Sequence, residues 1–228
     1  MDKAMFIVVE GPDGSGKTTC SEMLVDKLNL LGTRAMYIHE PGAIEDSEVS
    51  QTLKKLTKEH RLEDDVYSLL FAASQRYTIE NLIYPKINDE HTTIICDRFI
   101  RSLYVYQNFY KNDNYNSYML KSHFDTLTKM ILGYHTNPHI IPDMEFVLWA
   151  NPDVAYDRIC KRNNVGTDVW EQNKQFIQSV NGAYKELEDK TYMLNYISDC
   201  KFIDTSEITP EEVVDEMLKA INQREYHV

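Results

Sequence analysis

Apolar residues along this chain follow two rhythms. Phe6-Ile7-Val8-Val9 is an unbroken run rich in β-branched residues, the pattern of a strand buried on both faces. Ala35 to His39, Thr92 to Cys96, Phe146 to Ala150 and Lys201 to Asp204 read as four more short strands. Between them apolar positions recur at helical spacing. Cys20, Met23, Leu24, Leu28 and Leu31 mark a first helix, with Gly32 as its terminator. Ser47 to Lys58 is a polar helix whose Lys54, Lys55 and Lys58 fit a solvated face. Asp64 to Ile87 is the longest helical pattern, with Pro85 in its last turn. Ser102 to Tyr134 is helical around an Asn-rich break from Lys111 to Ser117, and His135 to Pro142 is a loop. Pro152 to Arg162 and Val169 to Tyr192 flank a polar break at Asn163 to Thr167, and Pro210 to Gln223 closes the chain. Strands alternating with long helices predict an α/β fold with a parallel sheet covered on both faces. No linker divides residues 1–228, so a single domain is expected.

Composition narrows the setting. With 228 residues, 43% of them hydrophobic and 26% charged, the chain has enough apolar material for one sizeable core. No apolar run approaches the roughly 20 residues of a membrane span, and the first strand begins too early for a signal peptide. Cys20, Cys96, Cys160 and Cys200 lack metal-like spacing and read as reduced core thiols of a cytoplasmic protein. A net charge of −12 argues against nucleic acid as a partner, so a phosphate-rich ligand has to be drawn by local Lys and Arg.

One stretch supplies such a place. Gly11-Pro12-Asp13-Gly14-Ser15-Gly16-Lys17-Thr18-Thr19 follows the first strand, opens the first helix and satisfies G-x-x-x-x-G-K-[ST]. Glycines let the backbone curl so that successive N–H groups face an anion, and the helix dipole adds positive potential there. Lys17 places a charge on the β- and γ-phosphates, and the Thr18 hydroxyl is a ligand for Mg²⁺. The chain is therefore expected to bind a nucleoside triphosphate with Mg²⁺. A second strand-end acid, Asp97 of Asp97-Arg98, has the shape of a Walker B carboxylate and is a second metal candidate.

The combination of VEGPDGSGKTT, HEPG at 39–42, LLFAASQR at 69–76 and DRFIRSLYVYQ at 97–107 resembles the thymidylate kinase family. The ending FIDTSEITPEEV and a break after Arg158 and Arg162 are similar to that family's last strand and lid, here about 158–171. The resemblance implies a P-loop kinase fold of three layers with a small lid, and a reaction in which ATP phosphorylates a deoxynucleoside monophosphate, most simply dTMP. It also implies roles. Asp13 would bind the acceptor's deoxyribose, Arg98 its phosphate, Phe71 its base, and Tyr106 would crowd the 2′ position. Asp97, Lys17, Arg158 and Arg162 would attend the transferring phosphoryl group, while Glu40, Ser102 and Gln107 complete the acceptor pocket. The family commonly forms homodimers. Plainer readings stand beside these, since Phe71 and Tyr106 fit core positions and Arg98 could pair with a buried carboxylate.

The chain also departs from the family's pattern. Gln75 stands where an Arg usually reads the thymine carbonyl, and Arg76, one residue on, is turned by about 100° around the helix. Looser base discrimination is expected. His39 replaces a common Arg, Val169 takes a lid position where bacterial members carry Arg, and Leu148-Trp149-Ala150-Asn151-Pro152 looks more like a deoxynucleoside kinase. Two rivals follow. One is a deoxynucleoside kinase using Glu40 as general base, and the other is a nucleotide-binding regulator without turnover.

Overall fold

The computed structural model describes residues 4–59, 62–106, 117–136, 138–162, 174–188 and 199–225. Five strands form: β1 (Phe6–Glu10), β2 (Ala35–His39), β3 (Thr93–Asp97), β4 (Met144–Trp149) and β5 (Cys200–Asp204). They pair in parallel in the order β2-β3-β1-β4-β5, with Val9 opposite Asp97 on one side and Phe146 on the other. β1 is buried at every position, as its unbroken apolar run requires.

Alternation along the strands splits the core in two. Ile7, Val9, Ile95, Phe146 and Leu148 face α1 (Lys17–Leu30) and α9 (Pro210–Glu225), meeting Leu24, Leu28, Val214 and Met217. Phe6, Val8, Ile94, Cys96 and Val147 face the opposite way. They meet Phe71 of α3 (Asp64–Thr78), Ile100 of α5 (Ile100–Tyr104), Phe124 of α6 (Ser117–Leu132) and Tyr184 of α8 (Lys174–Glu188). The expected three layers are present.

α1 ends where Gly32 adopts φ +86, its N–H bonding to Asn29 O and that of Thr33 to Leu28 O, a Schellman closure. α2 (Glu48–Glu59) precedes α3. After α3 the helix widens into a π turn, Ile79–Ile83, and continues as α4 (Tyr84–Asn88). Tyr84 N–H reaches Ile79 O five residues back, which accommodates the ring and missing donor of Pro85 inside a continuing helix.

Boundaries move slightly from those expected. β3 runs one residue further, through Asp97, and β4 begins two residues earlier, at Met144. The break inside Ser102–Tyr134 and the start of the helix expected from Val169 fall partly outside the described residues. α7 (Pro152–Arg162) corrects one expectation. Cys160 lies exposed on it, so only Cys20 and Cys96 are fully buried thiols, with Cys200 half-buried.

Candidate active site

The site lies at the carboxyl ends of β1 and β3, on either side of which the chain crosses over to cover opposite sheet faces. The loop after β1 is squeezed between neighbours. A Cβ on Gly14, which has φ +80, would sit 2.4 Å from Ala155 O, and one on Gly11 only 2.1 Å from Leu148 O. Only glycine fits at either position, because the loop backbone rests directly on β4 and α7. Thr205 Oγ1 donates to Ser15 O at 2.9 Å, and Ser15 is itself buried. The N–H groups of the first turn of α1 have no preceding helical carbonyl, so they remain for an anion.

Lys17, 5% exposed, donates to Pro12 O at 3.2 Å and to Asp13 Oδ1 at 3.3 Å. Burial and the nearby Arg98 draw its pKa down, opposed by Asp13 and Asp97. Thr18 Oγ1 donates to Asp97 Oδ2 at 2.6 Å, and the Tyr37 hydroxyl donates to the same oxygen at 3.2 Å. His39 Nδ1 lies 3.4 Å from it. Burial works against the Asp97 carboxylate, yet His39, Lys17 and Arg98 hold it well below the usual carboxylate range. Its Oδ1 is buried without a hydrogen-bond partner. A hydroxyl beside an ionised carboxylate with one uncommitted oxygen suits a hard cation such as Mg²⁺. Among the described residues, no group of three or more His, Cys, Asp or Glu could hold a metal. Magnesium at this position would therefore complete its shell with nucleotide oxygens and water.

Asp13, Arg98 and Tyr106 come from three parts of the chain and meet. Arg98 Nη2 donates to Asp13 Oδ1, Tyr106 OH donates to Oδ2 at 3.0 Å, and the guanidinium lies 5.2 Å from the Tyr106 ring centre. Burial would raise the Asp13 carboxyl, but Arg98 and Lys17 keep it well below its ordinary value. Arg98 holds φ +72, an unusual conformation for a residue with a side chain, and its N–H is tied to Val9 O. Its Nη1 donates to Ser102 Oγ at 3.3 Å. The carboxylate that Arg98 pairs with is thus in the phosphate loop itself. Pro12, Asp13 and Tyr106 share a narrow cleft with Phe176, Val180 and Asn181 of α8.

Beneath Arg98 sits a residue that sequence reasoning passed over. Glu10, fully buried, accepts the N–H groups of Phe99 (2.7 Å) and Ser102 (2.9 Å) and the hydroxyls of Ser102 (2.6 Å) and Tyr184 (3.1 Å). Burial and Glu145 raise its pKa, and the donors it collects act the other way. It caps α5 from the neighbouring strand and so fixes the residue after Asp97-Arg98. An acid ending an otherwise apolar, two-faced strand was the available signal. Tyr37, Tyr184 and Thr205 carried no signal beyond residue type.

Several expected residues are placed differently. Arg76 turns away, its Nη1 reaching Pro138 O at 2.8 Å and its Nε reaching Glu80 at 2.7 Å. It is no substitute for the missing Arg. Gln75 is fully buried, and neither Nε2 nor Oε1 has a partner, a condition that costs roughly 1–3 kcal/mol per group. Phe71 is 3% exposed and stacks on Tyr67, ring centres 6.0 Å and planes 19° apart. Arg158 binds the outer side of the loop, donating to Gly14 O at 3.3 Å and to Thr205 O at 2.6 Å. It props the loop. Arg162 is exposed at the end of α7, and residues 163–171 of the expected lid, like Gln107, lie outside the described residues. Glu40 is fully buried, accepts Ser74 Oγ at 3.0 Å, and is raised by burial to about 6. A base for a 5′-hydroxyl needs access, which this carboxyl lacks.

Comparison with known proteins points to one family. A family model described as thymidylate kinase matches residues 9–203. The chain is 31% identical over 189 residues to a thymidylate kinase from Mycoplasmoides gallisepticum, covering 82% of each protein. It is 25% identical over 222 residues to a thymidylate kinase from Bacillus anthracis, covering 97% of this chain and 99% of that one. Among solved structures, a thymidylate kinase from Candida albicans superposes with a TM-score of 0.70 at 21% identity, over 99% of this chain and 94% of that one. One from Ehrlichia chaffeensis gives 0.66 at 23% identity, over 96% and 99%.

Proposed function

Because this chain belongs to the thymidylate kinase family, and so uses ATP to phosphorylate dTMP to dTDP, we propose a division of labour among its own residues. Gly11 to Thr19 cradle the ATP phosphates, with Lys17 neutralising charge on the group in transfer. Thr18 and Asp97 hold Mg²⁺, which when bound supplies further neutralisation and orientation of the phosphates. Arg98 grips the acceptor phosphate, Asp13 takes a hydroxyl of the deoxyribose, and the Tyr106 ring fills the space a 2′-hydroxyl would need. Arg158 keeps the loop in shape, and Arg162 offsets charge on the donor. No general base is required, because a nucleotide phosphate is already largely ionised near neutral pH. Catalysis then rests on positioning and electrostatics.

The observation carrying this reading is the cluster of Asp13, Arg98 and Tyr106 beside Lys17. A cation and a carboxylate beside the donor loop support the roles given to Arg98 and Asp13. Arg98→Ala is expected to raise the KM for dTMP and lower kcat together, since the phosphate is held in ground and transition states alike. Glu40→Gln should do much less. Steady-state kinetics of both variants with dTMP and with thymidine make the test. Thymidine turnover lost in Glu40→Gln and untouched in Arg98→Ala would contradict the assignment.

The same reading places the protein in the cytoplasm, as a homodimer without nucleic-acid partners. The charge of −12 supports the last point, and among the described residues no helix is long and apolar enough to cross a membrane.

A further inference from the structure

Arg98 has to leave the end of β3 and meet its ligand from a fixed direction. Its backbone holds φ +72, its Nη2 is drawn to Asp13, and its Nη1 donates to Ser102 Oγ at 3.3 Å. A guanidinium has donors alone, so Ser102 serves it only by presenting a lone pair. The Ser102 proton must then go elsewhere. Glu10 Oε2 takes it at 2.6 Å, while Oε1 holds the N–H groups of Phe99 and Ser102. Glu10 is fully buried and reaches no ligand itself.

Tyr184 joins the same point from α8. Its hydroxyl donates to Glu10 Oε2 at 3.1 Å and lies 3.0 Å from Ser102 Oγ, and the residue is 0% exposed. One turn earlier, α8 presents Val180 and Asn181 to the cleft that Asp13 and Tyr106 line. A buried hydroxyl costs free energy unless it is bonded, and a phenyl ring alone would fill the same space. The oxygen of Tyr184 therefore matters for what it does to Ser102 and Glu10.

We propose that Glu10 and Tyr184 are positioning residues for phosphoryl transfer. By fixing the Ser102 hydroxyl as an acceptor, they hold the Arg98 guanidinium against the acceptor phosphate. The inference rests on the reading above that gives Arg98 that phosphate. With Nη1 anchored on Ser102, the guanidinium keeps its direction when Asp13 turns to the deoxyribose. Further N–H groups of Arg98 stay open for phosphate oxygens. Both residues act through Arg98 alone.

The test is steady-state kinetics of Tyr184→Phe and Glu10→Gln, each in the wild-type and in the Arg98→Ala background, with dTMP and MgATP varied separately. Tyr184→Phe removes one oxygen and should lower kcat/KM for dTMP about 3- to 10-fold, the worth of one hydrogen bond. Glu10→Gln sets an NH2 group against the hydroxyls and turns the Ser102 proton toward Arg98. It should cost about 10- to 100-fold. In both variants KM for MgATP should stay within about twofold of the wild type, because only the acceptor's anchor is loosened. With Arg98 already replaced by Ala, either change should cost less than about twofold more. A merely structural role gives equal losses in both backgrounds or a parallel rise in KM for MgATP, and either result overturns the proposal. So does a Tyr184→Phe enzyme with wild-type dTMP kinetics. Should Glu10→Gln fail to fold, Tyr184→Phe decides. An Arg98→Ala enzyme whose KM for dTMP matches the wild type overturns the underlying reading of Arg98, and this inference with it.

Discussion

Glu40 makes the plainest case at the scale of one residue. Its carboxyl is fully buried, one oxygen lacks a partner, and burial raises its pKa from 4.5 to about 6. The folded protein therefore binds the proton more tightly than the unfolded chain. Stability from this group is complete below about 4.5 and is lost as pH rises through about 6, a difference on the order of 2 kcal/mol. Glu40→Gln carries no such slope. Thermal melts from pH 4.5 to 8 should find that variant gaining on the wild type as pH rises, and a gap independent of pH would contradict the account. Other residues were only partly legible in the sequence. Lys17, Thr18, Asp97 and Arg98 stood out because motif spacing constrains them tightly. The direction of Arg76 did not, since a helical position names a face and leaves a long side chain free to choose its partner.

α5 carries the same lesson at the scale of an element. Five residues are too few to form a stable helix alone, and all five are buried, so no amphipathic stripe marks its start at Ile100, two residues ahead of the helical pattern expected from Ser102. Two acids from neighbouring strands hold it. Glu10 caps its first turn, and Glu145 on β4 pairs with Arg101 inside the protein, at 0% and 1% exposure. Removing one partner leaves a buried charge, so Arg101→Ala should cost about 3–5 kcal/mol in urea unfolding. Arg101→Met combined with Glu145→Leu replaces the pair with apolar atoms and should cost less than the single change. A double variant as unstable as the sum of its singles would show that the pair's charges are not the issue.

For the whole molecule, the sheet order β2-β3-β1-β4-β5 places β1 and β3 side by side. That adjacency brings Thr18 to Asp97 and Asp13 to Arg98, pairs separated by 79 and 85 residues. Ligand binding at such a junction stabilises the entire domain. MgATP at 100 times its dissociation constant should add about 2.7 kcal/mol, or roughly 5–10 °C in Tm. Lys17→Ala should lose most of that shift and about 10²- to 10³-fold in kcat while still unfolding cooperatively. A variant that keeps both would remove Lys17 from the donor site.

The sequence alone determined what local rules govern: five strands, the helices between them, the phosphate loop and the acid at the end of β3. Each depends on periodicity or fixed spacing within a few residues, where backbone geometry leaves little choice. Tertiary structure decided which cations and carboxylates meet. Arg98 pairs with Asp13, Arg158 serves the back of the loop, Arg76 turns to Pro138 and Glu80, and Gln75 is buried without a partner. Those outcomes depend on strand order and helix packing, which bring together residues far apart in the chain. Burial then sets their charge, since the energy of an ion pair or an open amide depends on the surrounding dielectric rather than on neighbours in sequence.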